Sequence, residues 1–198
     1  RKIVFHTGHP GPKEIGCSKE FLHWLTDPVQ NGAGALTDFG CYGANISTWL
    51  MQGEQPVSVT AVTQQIKPDV YPEVDDEATI IITYPKTQVI IQASWNWPYS
   101  RKDMEFYGRT GYVFCKDAVN MQVRENERAP AVDRTAGPLA PETGEPFVYL
   151  ANVIRGKINM APYDLSAPGN NEMVVKILEA ARVSARTGKT VVWQSYFK

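Results

Sequence analysis

The chain has 198 residues, of which 43% are hydrophobic and 21% charged, a composition typical of one globular domain with a sizeable core. Its formal net charge of −1 excludes the basic field expected of a nucleic-acid-binding protein. No apolar run approaches the roughly 18 residues of a membrane-spanning helix, so no membrane partner is predicted. The three cysteines are widely spaced, which argues against a disulfide framework and favours the cytoplasm, with the periplasm as the alternative.

The first third of the chain predicts one strand, loops and one helix. Residues 1–5 are typical of a strand, and the glycine- and proline-rich sequence after them predicts irregular structure up to residue 33. A short apolar and aromatic stretch at 21–25 interrupts these loops. Residues 35–52 give the strongest helix prediction, which Gly53 ends.

The rest of the chain predicts a sheet followed by two helices. Strands are indicated at 57–66, 78–84, 87–97, 103–117 (two strands around a glycine turn), 118–126 and 189–195, and helices at 147–156 and 170–188. Residues 127–146 predict a long surface loop. Because no helix separates the middle strands, we predict an α+β fold with an open, mainly antiparallel sheet and helices packed on one face.

The helix at 35–52 carries a polar stripe beside its apolar face. At about 100° per residue, one narrow sector contains Asp38, Tyr42, Asn45 and Trp49. A carboxylate and a phenol one turn apart can exchange protons with the same hydroxyl or carbonyl group. The structural alternative is that Asp38 favours the helix dipole and Tyr42 is a boundary residue. Gly34 leaves room for a ligand or another backbone to approach.

Two residues in the first loops are further candidates for contacting a substrate. His9 lies in the glycine-rich loop, and the aromatic face of Trp24 could stack on a sugar. His6, His9 and Cys17 suggest a metal site, but no fourth ligand follows at a sensible spacing, so no metal is predicted.

The sheet region supplies structural predictions. Trp95 and Trp97 are interpreted as core or interface residues, 101–103 as a solvated turn, and 75–77 as a charged edge that protects a strand. The outward residues of the strand at 87–97 are mostly polar but uncharged, which fits a wet interface. We therefore expect a homo-oligomer that forms through the sheet face.

Three stretches of the sequence resemble the Gfo/Idh/MocA family, named after glucose–fructose oxidoreductase and inositol dehydrogenase. The stretch NGAGALTDFGCYGANISTWL is similar to the family's glycine-rich turn followed by Leu-x-Asp-x-Gly-x-(His or Tyr)-x-x-(Asp or Asn). In WNWPYSRKDMEFYGRTG, the residues Glu105, Gly108 and Gly111 match the pattern Glu-x-x-Gly-x-x-Gly. The stretch ILEAARVSARTGKTVVW resembles the closing helix and strand of the family.

The resemblance implies a two-domain enzyme of which residues 1–198 are the C-terminal substrate-binding and dimerisation domain. The N-terminal Rossmann domain of the family, which binds NAD or NADP, has no counterpart here, because the sequence lacks a G-x-G-x-x-G opening and the family's Glu-Lys-Pro motif. The longer chain is expected to be an NAD(P)-dependent dehydrogenase or reductase, and this fragment alone is expected to be inactive.

The resemblance also implies roles for the stripe. Asp38 matches the aspartate that binds or orients the substrate hydroxyl, and Tyr42 occupies the position of a catalytic histidine or tyrosine that exchanges the proton. Asn45 replaces a commoner aspartate. The expected substrate is a sugar, a polyol or a related hydroxy compound; the alternatives are an NAD-dependent glycoside hydrolase of the same superfamily and a non-catalytic carbohydrate-binding or dimerisation module.

Overall fold

Nine strands form one open sheet in the computed structural model, which describes residues 1–197. The strands are β1 (Lys2–Gly8), β2 (Ser58–Gln64), β3 (Glu77–Thr83), β4 (Gln88–Ser94), β5 (Arg101–Tyr107), β6 (Tyr112–Cys115), β7 (Asn120–Arg124), β8 (Val132–Thr135) and β9 (Val191–Val192). The helices are α1 (Lys19–Leu25), α2 (Ala35–Leu50), α3 (Pro146–Ile154), α4 (Pro168–Thr187) and α5 (Trp193–Tyr196).

The strand order is β8-β7-β6-β5-β1-β4-β3-β2-β9. Strand β1 pairs in parallel with β4 and antiparallel with β5, and every other pair in the order is antiparallel. Two antiparallel meanders therefore extend from the two sides of β1. This arrangement confirms the predicted α+β fold with an open, mainly antiparallel sheet.

Helices α2 and α4 cover one face of β1 to β4. The period of two in β4 places Val89, Ile91 and Ala93 on the covered face, and each of these side chains is fully buried. A Cβ atom on Gly43 would lie 2.7 Å from the Ile91 side chain, so the missing side chain lets α2 approach the sheet closely. The covered face forms the hydrophobic core of the domain.

The opposite face of the sheet carries alternating polar and apolar side chains. The register aligns Thr60, Ile81, Ile90 and Val4 in one row across β2, β3, β4 and β1. These side chains are only partly buried, and Val62 in β2 is 65% exposed. Within residues 1–197, both large helices pack on the other face, so this face stays open to solvent.

The second half of the chain departs from the sequence predictions at both ends of the sheet. The stretch 127–146, interpreted as a loop, contains β8, whose four residues are all exposed and therefore show no burial pattern. The predicted closing strand is only two residues long, because the chain turns into α5 and buries Trp193 against Phe197 at a centroid distance of 4.5 Å. The stretch 21–25 belongs to helix α1.

None of the helices in the described part of the chain combines the length and apolar character that crossing a bilayer requires.

Candidate functional site

Asp38 and Tyr42 lie along one open cavity of about 350 Å³ at the border of the core. The cavity is bounded by α2, the loop after β1, helix α1 and the start of β5. Its lining consists of Gly8, His9, Pro12, Ile15, Cys17, Phe21, Leu25, Asp38, Phe39, Tyr42, Ser100 and Lys102. We call this cavity the α2 cleft. Neither side chain is walled into the interior, since Tyr42 is 42% exposed and Asp38 is half-buried.

The start of α2 is fixed by Asp75. Its carboxylate accepts hydrogen bonds from the backbone N–H groups of Gly34 at 3.1 Å and Leu36 at 2.7 Å, and its carbonyl accepts one from Ala35 at 2.9 Å. This carboxylate satisfies amides that a helix N-terminus otherwise leaves unpaired, and its charge suits the helix dipole. The interpretation of residues 75–77 as a charged edge was wrong, because Asp75 caps α2 and Asp76 is fully buried.

Asp38 is oriented by a buried tryptophan. The indole N–H of Trp95 donates to Asp38 Oδ2 at 2.8 Å, and Trp95 itself is fully buried. Trp95 therefore has a role beyond the core position predicted for it. On the same helix, the carbonyl of Phe39 accepts a hydrogen bond from the Thr7 hydroxyl at 3.0 Å, which ties α2 to β1 beside the cleft.

The charges in the cleft depend on burial and on each other. Burial raises the pKa of the Asp38 carboxyl, against the hydrogen bond from Trp95 and the positive charges of His9 and Lys102. Burial lowers the pKa of His9, against the attraction of Asp38. His9 Nδ1 accepts a hydrogen bond from Gly11 N at 3.0 Å, so a neutral His9 carries its proton on Nε2.

Lys102 is a cleft residue that the sequence analysis missed. It was assigned to a solvated turn, but residues 101–107 form β5, and the register places Lys102 opposite Thr7 on the covered face of the sheet. Its Nζ lies 4.3 Å from the centroid of the Tyr42 ring, a cation–π contact. The alternation of Lys102 with Met104 and Phe106, which both pack on the core, is the signal that identifies its side.

The loop that carries His9 is held against the sheet by Lys67. Its ammonium donates to the carbonyls of Pro10 at 2.6 Å and Trp95 at 2.8 Å, and to Glu14 Oε1 at 2.6 Å. The hydroxyl of Tyr71 also donates to Glu14. The backbone of this wall of the cleft is therefore fixed by charge-assisted hydrogen bonds.

The other predicted site residues lie outside the α2 cleft. Asn45 donates to the Leu165 carbonyl at 2.9 Å and lines a separate cavity of about 420 Å³, which Tyr42 also borders. Trp24 is 43% exposed on α1 and packs on Phe21, with ring centroids 5.6 Å apart. Gly34 is buried, and a Cβ there would lie 1.9 Å from the Asp75 carbonyl oxygen, so its small size serves the chain's own backbone.

The three residues of the considered metal site do not converge. His6 lies on the open face of the sheet, where its Nδ1 is 2.9 Å from Asp103, whereas His9 and Cys17 line the cleft. In residues 1–197 no group of three or more histidine, cysteine, aspartate or glutamate side chains is arranged to hold a metal ion.

Comparison with solved structures finds the same fold in several larger proteins. The chain aligns with aldose-aldose oxidoreductase from Caulobacter crescentus complexed with glycerol (TM-score 0.71, 21% identity, covering 97% of this chain and 55% of that one). It also aligns with an oxidoreductase from Agrobacterium radiobacter in complex with NAD+, L-tartaric acid and magnesium (TM-score 0.69, 15% identity, 98% and 57%). A third match is an inositol dehydrogenase homolog complexed with NAD+ from Azotobacter vinelandii (TM-score 0.73, 16% identity, 98% and 58%).

The chain thus spans little more than half the length of these proteins. No curated protein matches the sequence significantly. The family model described as the GFO/IDH/MocA C-terminal domain matches residues 1–114, which contain α2 and the whole lining of the cleft. The chain therefore belongs to the Gfo/Idh/MocA family, and the part of that family it represents is the C-terminal domain.

Proposed function

We propose that this chain is the substrate-side domain of an NAD(P)-dependent oxidoreductase that acts on a sugar, a polyol or a related hydroxy compound. The observation that supports this proposal most is that Asp38 and Tyr42 border the same open cleft, with His9 in its wall. The matched structures contain glycerol, tartaric acid and NAD+, which are compatible with this class of substrate and cofactor.

The proposed chemistry assigns proton transfer to Tyr42 and orientation to Asp38. When a hydroxyl-bearing carbon is oxidised, the hydroxyl must lose its proton, and the phenolate oxygen of Tyr42, on the exposed edge of the cleft, can accept it; in the reverse reduction the phenol of Tyr42 donates the proton. The Asp38 carboxyl, held by Trp95, offers an acceptor to the same hydroxyl. The Nε2–H of a neutral His9 is a further donor for substrate oxygens.

The described residues do not form a dinucleotide-binding site of the Rossmann type by themselves. Residues 1–197 contain one parallel strand pair, β1 with β4, and no glycine-rich turn that leads from a strand into a helix of a βαβ unit. We therefore propose that NAD or NADP is held by the N-terminal domain of a longer chain, and that residues 1–198 alone are inactive. When bound, such a cofactor accepts or donates the hydride.

The decisive experiment is the substitution Tyr42→Phe in the full-length protein. Removal of the hydroxyl leaves the ring and its contact with Lys102 in place, so we expect kcat for sugar or polyol oxidation to fall by about 10²- to 10⁴-fold with little change in stability. Tyr196→Phe, on α5 and far from the cleft, is the matched control and should keep the original rate.

The outcomes separate the three functions. Unchanged turnover in Tyr42→Phe would favour a non-catalytic carbohydrate-binding or dimerisation module. Exchange of substrate hydrogen with solvent during the cleavage of a glycoside would favour the NAD-dependent hydrolase. Loss of kcat without cleavage activity supports the oxidoreductase.

We also propose that the domain associates through the open face of the sheet. The row Thr60, Ile81, Ile90 and Val4 presents mixed apolar and uncharged surface without a covering helix, a composition typical of interfaces. Ile90→Asp at the centre of the row should shift the full-length protein towards the monomer in sedimentation analysis. An unchanged oligomeric state would exclude this face.

A cytoplasmic location is the third part of the proposal. Cys17, Cys41 and Cys115 are free thiols, which is typical of a reducing compartment. Fractionation of cells that produce the full-length protein tests this placement.

A further inference from the structure

The α2 cleft contains a lysine, Lys102, that contacts the Tyr42 ring but has no carboxylate partner among the described residues. The ion pairs of the described residues join Lys67 to Glu14, Lys116 to Asp133, Lys176 to Glu172, Arg182 to Glu179, and Arg101 and His6 to Asp103. Lys102 forms no ion pair with any of the described carboxylates. Its side chain is exposed, and its neighbour Arg101 holds Asp103 on the opposite face of the strand. The charge of Lys102 is therefore available to a ligand.

The position of Lys102 directs this charge into the cleft. Lys102 pairs with Thr7 in the register of β1 and β5, so its side chain lies on the covered face of the sheet. Its ammonium lies 4.3 Å from the centroid of the Tyr42 ring. Asp38 is the only other charged residue in the lining, and one of its oxygens already accepts the Trp95 N–H at 2.8 Å. An ammonium with three donors in this position can pair with a substrate anion beside the proposed proton-transfer group.

The cleft is better suited to a carboxylate than to a phosphate. A single lysine supplies its positive charge, since burial lowers the pKa of His9 and thus favours the neutral imidazole. The two helices that begin beside the cavity already have acceptors at their N-termini: Asp75 accepts the amides of Gly34 and Leu36 at α2, and the Ser18 hydroxyl accepts the amide of Phe21 at α1. A volume of about 350 Å³ is at the small end of ligand pockets and matches one monosaccharide-sized molecule.

We propose that Lys102 makes the α2 cleft select hydroxy acids of monosaccharide size, such as uronates or aldonates, over their neutral counterparts. The ammonium pairs with the substrate carboxylate while Asp38 and Tyr42 engage a hydroxyl of the same molecule. This inference rests on the proposed function and adds the class of substrate to it.

The test compares matched acid and neutral substrates with the full-length enzyme and NAD or NADP. The pairs are D-glucuronate with D-glucose, D-galacturonate with D-galactose, and D-gluconate with D-glucitol, and glucose 6-phosphate is the phosphate probe. We expect at least one acid to exceed its neutral partner about 10-fold in kcat/KM.

Lys102→Met should reduce this preference about 10-fold, mainly through the KM for the acid, and Lys102→Arg should retain it. Lys116→Met, in the exposed ion pair with Asp133, is the control that should change neither substrate.

A second readout separates this inference from the proposed function. Titration calorimetry of the same acids measures binding whether or not turnover occurs. Acid binding that Lys102→Met abolishes, without hydride transfer to either cofactor, would refute the oxidoreductase but retain the anion site. Turnover of neutral sugars without preference for any acid, or equal losses on both members of a pair in Lys102→Met, would overturn the inference. A preference for glucose 6-phosphate over every carboxylate would overturn it as well.

Discussion

The covered half of the sheet, β1 to β4 under α2 and α4, differs from the extension, residues 112–154, in how the side chains are buried. Phe5, Ile80 and Ile91 in the covered half have no exposed surface. In the extension, all four residues of β8 are exposed, and α3 has no buried residue. Phe147 and Ile154 of α3 are 80% and 75% exposed.

The contrast between the covered half and the extension indicates which part of the fold is determined by side-chain packing. The match to the family model ends at residue 114, in β6, close to the boundary between the two regions. The wall of the α2 cleft that carries Asp38 and Phe39 belongs to the covered half, where α2 packs closely on the sheet. We therefore expect substitutions in the covered half to lower the free energy of unfolding strongly, and matched substitutions in the extension to have little effect.

The largest effect is expected for Gly34→Ala. Gly34 is buried immediately before α2, and a Cβ added there would lie 1.9 Å from the Asp75 carbonyl oxygen. The cap of α2 must then move, and we expect a loss of about 3–4 kcal/mol in urea unfolding. Gly137→Ala in the extension, where no atom lies within 4 Å of the new Cβ, should stay within about 0.5 kcal/mol. Equal losses in both variants would contradict the comparison.

The two tryptophans test the same contrast beside the cleft. Trp95→Phe leaves a cavity in the core and removes the N–H donor of Asp38, so we expect it to cost about 3 kcal/mol and to lower kcat. Trp24→Phe, on the exposed surface of α1, should change the free energy of unfolding by less than about 0.5 kcal/mol. A raised KM in Trp24→Phe would support the predicted sugar contact, and a stable Trp95→Phe protein with normal kcat would argue against the role of Trp95.

The covered half was easier to predict from the sequence than the extension, because burial of one face gives a strand or helix a periodic pattern of apolar residues. The alternation of Val89, Ile91 and Ala93 is visible in the sequence, since each side chain faces the core. The exposed residues of β8 show no such alternation, and their strand assignment depends on pairing with β7 alone. The polar stripe of α2 was predictable for the same reason, as Asp38 and Tyr42 lie one turn apart at the edge of its buried face.

The missed parts of the site depend on partners that are distant in sequence. Asp75 meets the amide of Gly34 from 41 residues away, and Trp95 reaches Asp38 across 57 residues. Local propensity contains no information about such contacts. The sequence prediction began this strand at residue 103 and therefore left Lys102 outside it. Within β5, the position of Lys102 opposite Thr7 places its side chain on the covered face. The observed strand begins two residues earlier, at Arg101, and a difference of this size is within the usual uncertainty of strand ends.

A smaller effect is expected from the pH dependence of Asp75. Burial raises the pKa of this carboxyl to about 6, against the backbone hydrogen bonds from Leu36 and Gly34. The folded chain therefore holds a proton that the unfolded chain releases near pH 4, so its contribution to stability is present at low pH and is lost as the pH rises from about 4 to 6. Relative to Asp75→Asn, the original protein should lose roughly 2–3 kcal/mol over this window in urea unfolding.

The control for this titration is Asp133→Asn in the extension. The hydrogen bond and charge of Lys116 lower the pKa of the exposed Asp133, so this residue should act in the opposite direction and far more weakly. Parallel stability curves for the original protein and Asp75→Asn would exclude a raised pKa at the cap of α2.

The smallest of the expected effects concerns the contact between α4 and β2. The Ser184 hydroxyl accepts a hydrogen bond from the Ala61 backbone N–H at 3.0 Å, and Ser184 is only 1% exposed. In Ser184→Ala this amide loses its partner in the core, so we expect a loss of about 1–2 kcal/mol in the free energy of unfolding. Thr143→Ala removes an exposed hydroxyl that bonds to the Ala140 carbonyl in the extension, and water can replace that contact. If both variants lose the same amount, hydrogen bonding contributes equally in the two regions, and their difference lies in apolar packing alone.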